Sequence, residues 1–309
     1  MNTPPRLVVG RGGLLGAAVA ARLGQPAGST GVAWREPSRA VAELEALARS
    51  LRASASGAPW WALWCAGTGF VGADPAPLRL ETDYLQAFLD AVRPSAAQGL
   101  VFLASSAGAV HAGDPHPVRE SSAPIPISDY GREKLRQEGL VRAWCAATGG
   151  RAVIGRLSNL YGPGQNLEKG QGIVSHLVRA SLLAQPLTIY VPLDTSRDYL
   201  YVADAARLVV ATLQRAEQEL APGACAVKLL ASGRLTTLAS IVAELGRIRK
   251  QRPPLVFAPR PATPLQPRVL RFTSEVWPDL DAAPTTPLAE GLAAVVRDHT
   301  AALGQGQLA

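Results

Sequence analysis

Residues 6–16 read RLVVGRGGLLG, and this stretch predicts how the chain begins to fold. The apolar run at 6–9 indicates a short buried strand, and residues 14–23 have the composition of a helix, so the glycines between them form a turn. A strand, a glycine-rich turn and a helix in this order open a βαβ unit. The turn is therefore expected at the carboxyl end of the first strand, where open α/β sheets bind ligands.

Strands and helices continue to alternate along the first half of the chain. Short apolar segments predict strands at residues 31–34, 60–65, 100–104 and 151–155. Segments with helical spacing lie between them, at residues 38–51, 82–92 and 129–147. Because such alternation gives a parallel sheet covered by helices on both faces, the sequence predicts an α/β fold with a doubly wound parallel sheet, the Rossmann fold.

Beyond residue 163 the predicted elements become shorter and are separated by glycine and proline. They are strands at 188–191 and 199–202, a helix at 237–248, a proline-rich crossing at 252–268 and a last helix at 288–303. We therefore predict a dinucleotide-binding domain at residues 1–165, with a return segment at about 195–215. Residues 166–309 are expected to form mainly a smaller, mixed, substrate-binding lobe.

Composition and charge exclude several classes of function. The 309 residues carry a net charge of +7, but Lys and Arg form no basic run, so nucleic acid is not expected as a partner. No apolar stretch reaches the ~18 residues of a membrane span. The three cysteines form no metal-binding pattern, so we predict no metal site, and an odd thiol fits a reducing cytoplasm. Arg11 and the glycines around it interrupt what would otherwise resemble a secretory signal.

The glycine turn has the properties of a pyrophosphate site. Its glycines at positions 10, 13 and 16 follow a G-x-x-G-x-x-G spacing. Side chains there would keep a pyrophosphate away from the backbone amides and from the partly positive N-terminus of the helix. A tight turn with a purely structural role is the alternative. The predicted cofactor-binding residues of this turn are Gly10, Arg11, Gly13, Leu14, Leu15 and Gly16.

Two residues near the end of the predicted second strand bear on the choice of nicotinamide cofactor. An acid there binds the ribose 2′-hydroxyl of NAD, whereas an arginine accommodates the 2′-phosphate of NADP. Arg35 and Glu36 stand side by side at this position. Arg35 favours NADP, and Glu36 keeps NAD as the alternative.

Tyr130 and Lys134 lie four residues apart and therefore share one face of a predicted helix. A phenol, with a reference pKa of about 10, must be stabilised as an anion to act as a base near neutrality, and a lysine cation can supply that stabilisation. Such pairs are also common on helix surfaces. Ser105 and Ser106 precede this pair and end a strand at the ligand-binding edge of the sheet. The candidate catalytic residues are therefore Tyr130, Lys134 and a serine of the 105–106 pair.

Ordered motifs over nearly the whole chain resemble those of the extended short-chain dehydrogenase/reductases. This family includes the NAD(P)-dependent sugar-nucleotide epimerases, dehydratases and reductases typified by UDP-galactose 4-epimerase. Besides the glycine turn, the matching segments are SSAGAV at 105–110, Glu120 with Pro124 ahead of SDYGREK at 128–134, RLSNLYGP at 156–163, RDYLYVAD at 197–204 and PTTPLAEGL at 284–292. The resemblance implies a Rossmann fold, a nicotinamide cofactor and a sugar-nucleotide substrate.

The resemblance also implies roles for individual residues. Tyr130 would be the general acid/base, and Lys134 would bind the nicotinamide ribose and lower the pKa of the tyrosine. Asn159 and Arg197 match positions that hold the diphosphate of the substrate, and an arginine suits that bidentate anion contact. Without the resemblance, Asn159 would be a loop residue and Arg197 a partner of Asp198.

Departures from the family pattern concern the hydroxyl group and the loop after it. Ala107 stands where the family has its catalytic Ser or Thr, so the hydroxyl is expected from Ser106 or Ser105, or is missing. His111 stands where tyrosine is usual and is expected in the wall of the loop.

Two further departures lie near the cofactor. The segment Cys65-Ala66-Gly67 replaces the usual H-x-A-A, and Ala66 is still expected against the cofactor. No asparagine occupies the place expected for one near Glu81.

These observations predict an NAD(P)-dependent oxidoreductase or epimerase that transfers a hydride to or from a sugar nucleotide. Ala107 and Gly108 offer none of the acids of a dehydratase, and Arg35 favours NADPH, so a 4-keto-sugar reductase is the leading expectation. A 4-epimerase that retains NAD and a non-catalytic dinucleotide-binding relative are the alternatives. A steroid or flavonoid ketone would offer Arg197 and Asn159 no diphosphate. By resemblance, a homodimer is expected through the helices at 82–92 and 129–147.

Overall fold

The computed structural model describes residues 4–26, 28, 30–114, 117–258 and 267–306. Its strands are β1 Arg6–Val9, β2 Trp60–Trp64, β3 Gly99–Ser106, β4 Arg151–Leu157, β5 Asn159–Tyr161, β6 Leu187–Ile189, β7 Ser196–Tyr201, β8 Cys225–Leu230, β9 Leu235–Thr237 and β10 Leu255–Phe257. Its α-helices are α1 Leu14–Arg22, α2 Pro37–Ala55, α3 Pro75–Val92, α4 Ala107–Val110, α5 Asp129–Thr148, α6 Ile173–Leu183, α7 Val202–Glu219, α8 Leu238–Arg249 and α9 Leu288–Gly304.

A five-stranded parallel sheet in the order β1-β2-β3-β4-β8 forms the centre of the first unit. Helices α2, α3 and α5 pack on one face, and α1 and α7 pack on the other. The alternation along β2 illustrates this arrangement, because Trp60 and Trp64 enter the first core while Trp61 and Leu63 enter the second. The predicted doubly wound Rossmann fold is confirmed.

The predicted strand at residues 31–34 does not form. Trp34 N–H bonds to the Val32 carbonyl and Glu36 N–H to the Ala33 carbonyl, so the backbone turns here. The Ala33 N–H donates to Glu43 Oε2 on α2 at 2.7 Å rather than to a neighbouring strand. Among the described residues, β1 is therefore an outer strand of the central sheet.

The return of the chain to the first unit extends further than the predicted 195–215 segment, because β8 pairs with β4 along residues 152–157. A lysine in the middle of this strand, Lys228, is fully buried. Its ammonium group bonds to Asp281 at 2.5 Å and to Ser274 at 2.6 Å, which satisfies the buried charge. Residues 225–230 thus belong to the central sheet, although they lie in the stretch predicted as the second lobe.

The smaller unit contains α6, α8 and α9 around its own apolar core. Two small sheets accompany these helices, β5-β7-β9 and β10-β6. The predicted helices at 237–248 and 288–303 correspond to α8 and α9. The proline-rich crossing contains β10, and its residues 259–266 lie outside the described residues.

One helix begins well before its predicted start. α3 begins at Pro75 rather than near residue 82, because Asp74 caps it by accepting the Ala76 N–H at 2.9 Å and Pro75 fits the first helical position. This extra length places Glu81 on α3, facing the carboxyl edge of the sheet.

Candidate active site

The glycine turn brings α1 against the end of β1. Gly10 has a φ of +90°, and a Cβ there would lie 2.5 Å from the Ala66 backbone nitrogen. A Cβ on Gly16 would lie 2.2 Å from the Gly10 carbonyl oxygen. Only glycine fits both positions, so the turn stays narrow and leaves the N-terminus of α1 open towards a cavity that Gly13, Leu14 and Leu15 also line.

A single cavity of about 1650 Å³ extends from this turn across the carboxyl edge of the sheet into the smaller unit. Ala66 and Arg35 line its first end, and Asn159 and Arg197 line its far end. The cavity contains nearly every residue that the sequence predicted for cofactor, catalysis and substrate. Arg11 is half-buried and Gly16 is buried, and neither of them is among the lining residues.

Tyr130 and Lys134 occupy successive turns at the start of α5, as predicted. Ser128 caps this helix by accepting the Gly131 N–H at 3.1 Å. A Cβ on Gly131 would lie 2.3 Å from the Ala109 carbonyl oxygen, so glycine is what allows α5 to approach α4 closely. This approach brings the Tyr130 phenol to the end of β3.

The structure favours Ser106 as the hydroxyl partner of Tyr130. Ser106 and Tyr130 both line the cavity, and Ser106 lowers the pKa of the Tyr130 phenol. Ser106 also caps α4 by accepting the Ala109 N–H at 3.3 Å. Ser105 instead donates to Glu138 Oε1 at 2.7 Å, inside the protein. Ala107 is fully buried in the first turn of α4 and contributes no polar group.

Three effects around Tyr130 shift the pKa of its phenol. Burial raises the pKa of the phenol well above its ordinary value, Glu81 raises it further, and Ser106 lowers it. Burial and Glu81 therefore keep the phenol protonated near neutrality. Lys134 Nζ donates to the Ala104 carbonyl at 3.2 Å and to Gln137 at 3.0 Å, and it lies 5.8 Å from the centroid of the tyrosine ring. The lowering of the pKa of Tyr130 by Lys134 stays a prediction.

Arg35 is exposed on the rim of the cavity. No side-chain partner for its guanidinium occurs among the described residues. Glu36 lies beside it but is 3.4 Å from Arg39. An anion at this end of the cavity would therefore meet an available guanidinium next to a carboxylate that already has a partner.

The two predicted substrate residues lie together at the far end of the cavity. Asn159 Nδ2 donates to the Asp198 carbonyl at 2.9 Å, which ties β5 to β7. Arg197 Nη1 donates to the carbonyl of Ser196 at 2.9 Å and to that of Arg268 at 3.2 Å. These bonds to backbone carbonyls hold the guanidinium at the cavity wall, and burial lowers the pKa of Arg197.

Two residues of this region were not among the predicted site residues, namely Glu81 and Lys169. Glu81 was visible in the sequence only as the neighbour of a missing asparagine. Lys169 lies in the loop between β5 and α6, and its Nζ donates to the Gly67 carbonyl across the cavity at 3.2 Å. No sequence signal pointed to Lys169, because a lysine in a polar loop normally faces solvent.

A buried ion pair supports the strand ends beneath the site. Arg156 on β4 binds Glu138 on α5 with two hydrogen bonds, of 3.0 and 2.8 Å. The same carboxylate accepts the Ser105 hydroxyl, and Arg156 Nη1 approaches His111 Nε2 at 2.9 Å. This network joins β3, β4 and α5, so it fixes the place where Ser106 meets Tyr130.

His111 should make stability depend on pH. Burial lowers its pKa from 6.5 to about 4, and the nearby Arg156 cation lowers it as well. Because the folded state holds this imidazole neutral, its contribution is fully present above pH 6.5 and is lost as pH falls towards 4. We expect a loss of about 3 kcal/mol in the free energy of unfolding over this range.

Urea unfolding of the wild type and of His111→Gln, measured between pH 7 and 4, checks this expectation. Glutamine keeps an oxygen for Arg156 but does not titrate, so the variant should lose less stability on acidification than the wild type. Equal losses in the two proteins would contradict the assignment.

No group of three or more metal-binding side chains occurs in the part of the chain that the structure describes. All three cysteines are free thiols. No described helix is long and apolar enough to cross a membrane.

Comparison with known proteins gives consistent matches. Residues 6–227 match the NAD dependent epimerase/dehydratase family. A dTDP-L-rhamnose 4-epimerase from Burkholderia thailandensis is 38% identical over 33% of this chain and 28% of its own length. A dTDP-4-dehydro-6-deoxyglucose reductase from Escherichia coli is 28% identical over 37% of this chain and 36% of its own length. The chain thus spans only about a third of the length of these curated relatives.

The fold itself is found among solved structures over nearly the whole chain. The UDP-glucose 4-epimerase from Brucella ovis in complex with NAD superposes with a TM-score of 0.79. It covers 94% of this chain and 97% of its own, at 24% identity.

Proposed function

This chain belongs to the NAD dependent epimerase/dehydratase family, and on that premise we propose that it is an NADP-dependent reductase of a 4-keto-sugar nucleotide. The observation that carries the proposal is that Tyr130, Ser106, the glycine turn and an exposed Arg35 line one cavity. A phenol that already holds its proton can protonate a carbonyl oxygen without first changing state.

The residues present fit a nicotinamide dinucleotide. The glycine turn leaves room for a pyrophosphate beside the N-terminus of α1, since Cβ atoms on Gly10 or Gly16 would collide with backbone. Lys134 lines the same cavity as the glycine turn and would bind the nicotinamide ribose. When bound in its reduced form, the dinucleotide supplies a hydride.

The chain's own residues would carry the proton transfer. Tyr130 would donate its proton to the carbonyl oxygen of the sugar while the carbonyl carbon receives the hydride. Ser106 would hydrogen-bond the same oxygen and hold it against the phenol. Lys134, anchored on the Ala104 carbonyl and on Gln137, would keep its ammonium group beside the tyrosine ring.

The far end of the cavity suits the diphosphate of a sugar nucleotide. Arg197 offers a partly buried cation at the wall, where a lower dielectric strengthens its attraction for an anion. Asn159 lines the same end of the cavity. The net charge of +7 favours anionic substrates in general.

Cofactor preference tests the reductase assignment through Arg35. We expect the wild type to bind NADPH more tightly than NADH, because Arg35 would pair with the 2′-phosphate. Arg35→Ala should weaken NADPH binding by about tenfold and leave NADH binding nearly unchanged. Titration with each cofactor, followed by quenching of the six tryptophans, measures both constants.

Arg49→Ala is the matched control. Arg49 is another exposed arginine, on α2, but it pairs with Glu45 outside the cavity. This variant should bind both cofactors like the wild type. A wild-type preference for NADH would contradict the proposal.

A 4-epimerase with retained NAD is the second candidate, favoured by the 38% identity to the dTDP-L-rhamnose 4-epimerase. Its hallmark would be NAD that copurifies with the protein.

A non-catalytic dinucleotide-binding role is less well supported, because Ser106 supplies the hydroxyl that Ala107 lacks. A cytoplasmic homodimer, paired through α3 and α5, completes the proposal.

A further inference from the structure

A carboxylate on α3 lies beside the catalytic pair. Glu81 Oε1 accepts the Thr68 backbone N–H at 2.5 Å and the Thr68 hydroxyl at 2.8 Å. Glu81 Oε2 lies 3.3 Å from the position that a Cβ on Gly67 would take. The half-buried carboxylate therefore anchors the 67–69 segment at the cavity wall.

The 67–69 segment connects this carboxylate to the groups that would do the chemistry. Lys134 Nζ lies 3.8 Å from the same Cβ position of Gly67, and Lys169 Nζ donates to the Gly67 carbonyl at 3.2 Å. A Cβ on Gly69 would lie 2.9 Å from the Tyr130 ring. One short segment thus contacts two ammonium groups, the carboxylate and the tyrosine ring.

Charged and titratable groups from four parts of the chain face this segment. They are Glu81 from α3, Tyr130, Lys134 and Glu138 from α5, Cys65 after β2, and Lys169 from the loop before α6. Burial lowers the pKa of both lysines, and Glu81 opposes this by raising the pKa of each. Burial raises the pKa of Cys65 to about 12, which removes the thiol as a competing acid or base near neutrality.

We propose that Glu81 is a positioning residue of this site, whose carboxylate is held by Thr68 beside Lys134 and keeps the proton on Tyr130 for carbonyl reduction. The inference rests on the proposed function. In that reaction the carbonyl carbon accepts a hydride from the reduced dinucleotide, which is oxidised, and the carbonyl oxygen takes the phenol proton. Water then returns a proton to the phenolate, so the carbonyl gains two electrons and two hydrogens.

The negative charge of Glu81 raises the pKa of the Tyr130 phenol. Without the carboxylate, one negative charge fewer would oppose the phenolate, so Tyr130 would lose its proton at a lower pH. A neighbouring charge typically moves a pKa by about one unit or more. A purely structural role for Glu81 would lower activity without moving the pH at which Tyr130 titrates.

The direct test places a fluorinated tyrosine at position 130 alone and follows its titration by fluorine NMR in the cofactor-free protein. Several fluorines on the ring make the phenol far more acidic, so the tyrosine used carries more than one and titrates at a lower pH than the parent phenol. Glu81→Gln, which keeps a hydrogen-bond acceptor for Thr68 but no charge, should lower the midpoint by about one pH unit. Glu81→Asp, which keeps the charge, should stay close to the parent.

Asp83→Asn is the control, because Asp83 is exposed on α3 and does not line the cavity. Its midpoint should equal that of the parent. A midpoint that is unchanged or raised in Glu81→Gln overturns the proposal, as does an equal decrease in Asp83→Asn.

Activity measured on the unfluorinated proteins tests the proposed reductase function separately from the proposed role of Glu81. In Glu81→Gln, the fall in reduction rate at high pH should begin at lower pH than in the wild type. A wild type that reduces no 4-keto-sugar nucleotide overturns the proposed function, while the NMR midpoint still decides whether Glu81 controls the proton on Tyr130.

Discussion

Tyr130→Phe is expected to lower the rate of carbonyl reduction by about 1000-fold while leaving NADPH affinity nearly unchanged. The phenol is the only side chain to which the proposed reaction gives the proton transfer, and general acids of this kind contribute about 100- to 10,000-fold. Phenylalanine keeps the ring that packs on Gly69 and beneath Lys134, so the cavity should keep its shape. Steady-state kinetics with a 4-keto-sugar nucleotide, together with tryptophan quenching by NADPH, measure both quantities.

Tyr201→Phe is the control for this substitution, since the Tyr201 ring packs edge-to-face against Tyr161 in the smaller unit and does not line the cavity. It should retain wild-type turnover. Substantial turnover by Tyr130→Phe would remove the tyrosine from the mechanism, whereas a loss of NADPH binding would show that the ring itself holds the cofactor.

Arg156→Met should lower the free energy of unfolding by about 3 to 5 kcal/mol. Removing one partner of a buried ion pair leaves the other charge without compensation, and Glu138 is fully buried. Arg142 also contacts this carboxylate, at 3.0 Å, but its own side chain is 43% exposed and cannot replace the buried partner. Urea unfolding at neutral pH measures the effect.

The double variant Arg156→Met with Glu138→Leu tests the electrostatic explanation. It removes both charges from the buried site, so it should recover part of the stability that the single variant loses. If the double variant were as unstable as the single one, lost packing rather than the uncompensated carboxylate would explain the effect.

The sequence was most informative where backbone geometry alone determines the outcome. Positions 10 and 16 require glycine, because a Cβ there would lie 2.5 and 2.2 Å from neighbouring backbone, and the spacing of these glycines predicted the turn. Tyr130 and Lys134 share a helix face by their spacing, whatever surrounds them. The sequence could not decide between Ser105 and Ser106. Consecutive strand residues point to opposite faces of a sheet, and their spacing does not tell which of the two faces Tyr130. That choice depends on the buried Glu138, whose partners come from other parts of the chain.

The features that the sequence did not predict also depend on contacts between residues that lie far apart in the sequence. Lys228 interrupts the apolar run of β8, and only its distant partner Asp281 explains why a buried strand tolerates it. Residues 31–34 look like a strand, but Glu43 on α2 takes the Ala33 N–H. Glu81 and Lys169 lie 88 positions apart in the sequence and meet only through Gly67. Contacts of this kind cannot be read from local periodicity.

The route of the chain between the two units has a consequence for how the protein can be divided. After β4 the chain enters the smaller unit, returns with α7 and β8, and leaves again for β9 and α8. A fragment ending at residue 165 would lack β8 and would expose the backbone edge of β4, a ready template for aggregation. It would also leave the core beneath β3 and β4 without α7. The first unit is therefore assembled from separate stretches of the chain, and a cut at residue 165 would divide its sheet.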